Sequence, residues 1–121
     1  MRIITPFFHG ILDYVLIIFL LASPAIFGMT GILATFTYGL GIVHLLLTIL
    51  TAFPLGLIKV IPFRIHGIIE VVVSIFLALM AFWFYNQGNV LGFYFYMVMA
   101  IIIMIVFILT NFRGSPVNRP S

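Results

Sequence analysis

Two histidine–acid pairs carry the chemistry that this chain offers. His9-Gly10-Ile11-Leu12-Asp13 and His66-Gly67-Ile68-Ile69-Glu70 lie 57 residues apart, each inside apolar sequence. The chain holds two acids in all, and both occupy the same place in this element. Histidine and acid are four apart, so a helix projects both from one face. Two such helices side by side present two imidazoles and two carboxylates, a donor set suited to zinc or another first-row transition ion. Calcium or magnesium would need more oxygen ligands than this. The candidate metal ligands are therefore His9, Asp13, His66 and Glu70.

Other chemistry is open to the same residues. The pairs could serve as polar glue, with His9 facing Glu70 and His66 facing Asp13 across two helices. His9 and His66 could hold a haem as axial ligands, although flanking acids are odd company for a haem face. A third reading is proton or ion passage. His66, Glu70 and Ser74 would then join His44, Thr48 and Thr51, which fall at i, i+4 and i+7, in a polar track. Such a track is incomplete within one subunit, so passage would call for water or a second subunit, as in a homo-oligomer. Counted from an inner helix end near Leu57, His44 is expected about 10 Å from the acids, outside a shared ligand shell. No catalytic residue is assigned. Ser23 and Ser74 lack a positioned triad, and a metal-dependent membrane enzyme would have to reuse the His/acid cluster.

The elements that must position these residues follow from composition. Hydrophobic residues make up 65% of the chain and charged residues 6%. Soluble domains carry roughly a quarter charged residues, so this is an integral membrane protein in contact with a lipid bilayer. Four apolar runs are long enough to span, at about 6–27, 37–57, 62–85 and 91–112. The expected fold is all-α, with four transmembrane helices. Arg2, Lys59, Arg64, Arg113 and Arg119 all fall at the N-terminus, between spans two and three, or after span four. The positive-inside rule makes that side cytoplasmic, with both termini inside. The short basic tail after span four anchors this topology. No clustered basic face exists for nucleic acid. Cysteine is absent, which excludes disulfides and thiolate ligands. The first run is expected to be a retained span rather than a signal peptide, because Asp13 interrupts it and its pattern returns at 62–84.

An internal repeat organises these spans. At the offset of 57, Val15, Ile18, Phe19 and Leu20 meet Val72, Ile75, Phe76 and Leu77, and Pro6-Phe7 and Pro62-Phe63 open the two copies. Proline in a first helical turn marks a helix start. The expected halves are 1–58 and 59–121, two helical hairpins of the same orientation. Helices one and three would then run parallel, with their motifs at equal depth.

The run His9-Gly-Ile-Leu-Asp13-Tyr14 with Ala22-Ser23-Pro24-Ala25-Ile26-Phe27-Gly28 resembles the SPW-repeat family of small bacterial membrane proteins. So does Leu55-Gly-Leu-Ile-Lys-Val-Ile-Pro-Phe-Arg64 leading into His66. Ala25 stands where that family has tryptophan, and Met80-Ala81-Phe82-Trp83 replaces the second Ser-Pro motif. The resemblance implies two repeats, four spans and the bacterial inner membrane, and supplies no activity. The functional expectation is a non-enzymatic membrane protein whose His/acid cluster organises the bundle and binds an ion or proton.

Overall fold

The computed structural model describes residues 2–112. The basic tail at 113–121 lies outside the described residues. Four helices dominate: α1 (Pro6–Ile26), α2 (Gly31–Ile49), α3 (Phe63–Asn86) and α4 (Val90–Leu109). Each is long and apolar enough to cross a membrane. Helices of 19 to 24 residues are about 29–36 Å long at the standard rise, which matches a hydrocarbon core of about 30 Å. Large apolar side chains lie on their outer surfaces, with Ile18 68%, Val43 63% and Leu79 63% exposed. In water such a surface would aggregate, whereas in lipid it is ordinary. This is a multi-pass membrane protein.

The chain forms two compact units, one of Pro6–His66 and the other of residues 2–5 with 67–112 among those described. The division falls inside α3, one turn from its start, and the segment 50–62 belongs wholly to the first unit.

In the Pro6–His66 unit, α1 begins at Pro6, where a missing N–H leaves nothing unsatisfied. Gly28 and Gly31 turn the chain with φ of 64° and 59°, values that residues with a Cβ rarely adopt. Extended Thr30 then leads into α2. This helix runs Gly31–Ile49, starting six residues before the expected 37–57 span and ending eight before it. Pro54 explains the early stop, because proline inside a helix would remove a bond and clash with the preceding turn. Beyond the helix, the amides of Leu57 and Ile58 donate to the Ile49 carbonyl, and those of Val60 and Ile61 to the Leu50 carbonyl. These bonds satisfy acceptors that a helix end leaves open.

Thr51–Ala52 (β1) pairs in parallel with Ile61–Pro62 (β2). The turn between them is tight enough that a Cβ on Gly56 would collide with the Thr51 carbonyl. Two contacts fasten this segment to α1. The Tyr14 hydroxyl donates to the Leu55 carbonyl at 2.9 Å. A Cβ on Gly10 would stand 2.7 Å from the Phe53 ring, so glycine there lets the segment lie against the helix.

In the other unit, Ile4 pairs in parallel with Thr110. The Ile4 amide donates to the Leu109 carbonyl and the Asn111 amide to that of Ile4, both at 2.8 Å. Arg2 Nη1 donates to the Thr110 carbonyl at 3.0 Å. Gly67 lies against the Phe112 ring, 2.8 Å from where its Cβ would be. The Asn89 side chain caps α4 by accepting from the Gly92 amide at 2.9 Å. Leu77, Ala81, Phe84 and Tyr96 are buried, the last two with stacked rings 5.8 Å apart.

Candidate cation site

The first unit gathers three imidazoles around one carboxylate. His9 and Asp13 share a face of α1 at the i, i+4 spacing, with His9 Nε2 3.3 Å from Asp13 Oδ1. His66, in the first turn of α3, brings its Nε2 to 3.1 Å from Asp13 Oδ2. His9, Asp13 and His66 each offer a ligand atom within 4.8 Å of the others. His9 and His66 are wholly buried and Asp13 is 2% exposed.

His44 is the third imidazole, and here the structure corrects the sequence. Its Nε2 stands 3.5 Å from Asp13 Oδ1, not 10 Å from the acids. The error came from the helix end. With α2 stopping at Ile49, His44 is five residues from that end, or about 7.5 Å by helix rise. Asp13 is seven residues from the start of antiparallel α1, or about 10 Å in. The two are level. His44 therefore joins the ligand candidates and does not extend a track away from them.

Thr51 fixes the orientation of His66. Its hydroxyl lies 2.6 Å from the Leu47 carbonyl and 2.7 Å from His66 Nδ1. A carbonyl can only accept, so the single hydroxyl proton goes to Leu47. The Thr51 oxygen must then accept from Nδ1–H of His66. In the neutral ring this leaves the Nε2 lone pair on the side of Asp13. Thr51 was expected level with the acids on helix two. It sits instead just past the helix end, where β1 holds it against the His66 ring.

With the ring neutral, a carboxylate oxygen and an imidazole lone pair thus stand 3.1 Å apart inside the protein. Among the described residues, Asp13 Oδ2 and His44 Nε2 have no hydrogen-bond partner despite their short approaches. Thr48, one turn beyond His44 and fully buried, is in the same condition at its Oγ1. Thr37 and Thr51 each donate to the carbonyl four residues back, which makes Thr48 an exception among these three. Buried polar atoms without partners are rare in folded proteins and ask for an explanation. The cluster needs positive charge among its donors.

Aromatic rings close one side. Phe53 and Phe63 stack 5.4 Å apart. Phe63 meets the His9 ring edge-on at 5.2 Å, and Phe53 lies 6.0 Å from the His66 ring. Glu70 is buried one turn beyond His66 on the same face of α3. Ser74, another turn on, donates to the Ala100 carbonyl at 2.7 Å. Ser23 donates to the Phe19 carbonyl at 2.6 Å, so both serines are engaged by backbone. Of the residues of the expected polar track, His44 approaches Asp13 and Thr51 bonds His66, both in the first unit, while Ser74 is bonded to α4 in the other. Pro54, together with Thr30-Gly31 as a helix start, was the signal in the sequence that could have placed His44 correctly.

Comparison with protein-family models, with curated proteins and with solved structures gave no match.

Proposed function

We propose that this membrane protein binds a cation, a proton or a metal ion, at the cluster of His9, His44, His66 and Asp13, and that the bound charge organises the helices carrying it. One observation carries the reading: three imidazole nitrogens lie 3.1–3.5 Å from a single buried carboxylate. An isolated buried carboxylate is very costly, and bare imidazole nitrogens beside it repel it further. A cation within the ring of donors reverses both terms. The role is one of binding, because neither serine is poised as a nucleophile and the polar residues cluster instead of forming a path.

We read the chain as two hairpin repeats, and features within each unit support this. Each unit joins a segment before one helix to the segment after another, Ile61 with Thr51 and Ile4 with Thr110. Leu50-Thr51-Ala52-Phe53 and Leu109-Thr110-Asn111-Phe112 are matching sequences at an offset of 59. In each unit a glycine of the His-Gly-Ile element lies against the phenylalanine of that sequence. On this reading the positive-inside rule, applied to the five basic residues of the sequence, supports a cytoplasmic location for the 50–62 segment and both termini. Membership of the SPW-repeat family and a place in the bacterial inner membrane accord with the same residues.

Detergent-purified protein tests the function. Elemental analysis and proton-uptake titration would be run on the wild type beside His9→Ala/His66→Ala. A stoichiometric metal ion, or proton binding that the double variant lacks, is the expected result. Protein that holds no metal and takes up protons identically in both forms would refute the reading.

A further inference from the structure

We infer that the cluster is a three-imidazole, one-carboxylate centre for a divalent transition-metal ion of the zinc class, ligated by Nε2 of His9, His44 and His66 and by Asp13, with Thr51 as the residue that positions His66. The inference rests on the proposed cation site and specifies what occupies it.

Geometry is the first argument. Zinc binds imidazole and carboxylate at about 2.0–2.1 Å, so tetrahedral ligands stand about 3.3–3.4 Å from one another. His9 and His44 Nε2 stand 3.3 and 3.5 Å from Asp13 Oδ1, close to that edge length, and His66 Nε2 stands 3.1 Å from the other carboxylate oxygen, Oδ2. Asp13 Oδ2 and His44 Nε2 are buried without a hydrogen-bond partner, as lone-pair atoms awaiting a cation would be.

The donor types give the class of ion. Three imidazoles and one carboxylate suit zinc, cobalt or nickel in their divalent states. Calcium and magnesium prefer oxygen ligands in greater number. Monovalent copper prefers thiolate and thioether donors, and none of these four ligands carries sulfur.

The role of Thr51 follows from its two bonds. Metal-binding histidines usually donate the second ring N–H to an acceptor, which fixes the tautomer and leaves the other nitrogen for the metal. Thr51 supplies that acceptor while its own proton is held by the Leu47 carbonyl. The Phe53–Phe63 pair keeps bulk water from the imidazoles.

The test is cobalt(II) titration of the detergent-purified full chain, read by visible absorption, with zinc as competitor. Tetrahedral cobalt absorbs strongly and octahedral or free cobalt weakly. One tetrahedral cobalt per chain, displaced by zinc, is expected. Thr51→Val should weaken binding about 10- to 100-fold, the usual cost of losing such a partner, and Thr51→Ser should restore it. Nitrogen-15 spectra of the metal-free protein give a readout that a merely structural role would not move. His66 should be protonated at Nδ1 in the wild type and in Thr51→Ser, and mixed in Thr51→Val. No tetrahedral cobalt in the wild type would overturn the metal assignment, while proton uptake by the cluster would leave the broader cation reading standing. Equal affinity and equal tautomer in Thr51→Val would overturn the role of Thr51.

Discussion

His44→Ala removes the imidazole that α2 contributes to the cluster, and its effect can be worked out in advance. Nε2 of His44 lies 3.5 Å from Asp13 Oδ1, within a ligand shell. A ligand that binds only the folded state stabilises it by about 2.7 kcal/mol when present at about 100 times its dissociation constant. Outer partners of a metal site cost about 10- to 100-fold when lost, and a direct ligand belongs at or beyond the upper figure. At the same free zinc, a 100-fold weaker variant sits at its own dissociation constant. Its stabilisation then falls to about 0.4 kcal/mol. The expected loss is therefore about 2.3 kcal/mol of zinc-dependent stability. The assay is thermal or denaturant unfolding in detergent, with and without a fixed concentration of free zinc. Val43→Ala is the control, because Val43 neighbours His44 in sequence and is 63% exposed. A His44→Ala variant that kept the full zinc shift would refute the placement of His44 in the shell.

Other perturbations should read out the scaffold. Gly56→Ala should displace the Thr51 carbonyl, unfasten the 50–62 segment and weaken zinc binding, as a zinc titration would detect. Gly67→Val should press on the Phe112 ring and cost about 1–3 kcal/mol in detergent unfolding, the usual range for overpacking. Tyr14→Phe removes the bond to the Leu55 carbonyl, so hydrogen exchange in residues 53–58 should quicken while the helices stay protected. Ser74→Ala loses the bond to the Ala100 carbonyl at about 0.6 kcal/mol, the average for such contacts in membranes, and should leave zinc affinity unchanged.

The residues of α1 and α3 were legible because their helices announce themselves. Pro6 and Pro62 fix the starts, and from a fixed start the i, i+4 rule places His9 with Asp13 and His66 with Glu70 on single faces. The apolar composition likewise made four spanning helices plain. What sequence reading missed lies at the end of α2. Leu50, Ala52, Phe53, Leu55, Leu57 and Ile58 continue the hydrophobicity of the helix without being part of it. Hydropathy therefore could not see the stop, and the expected span ran on by eight residues, about 12 Å of helix. That displacement alone put His44 out of reach of Asp13. Pro54 carried the missing information. The second repeat signal, Leu-Thr-x-Phe, escaped for a related reason: it recurs at 59 and not at 57, so a single offset hides it. Thr51 could not be assigned its role from sequence, because its two bonds join the end of α2 to a ring at the start of α3.

X-ray absorption at the zinc edge of zinc-loaded protein tests the central claim most directly. A single first shell of nitrogen and oxygen at about 2.0–2.1 Å, with the outer-shell scattering of three imidazoles, is the expected spectrum. A six-oxygen aqueous shell, or a signal unchanged when His9, His44 and His66 are all replaced by alanine, would contradict it.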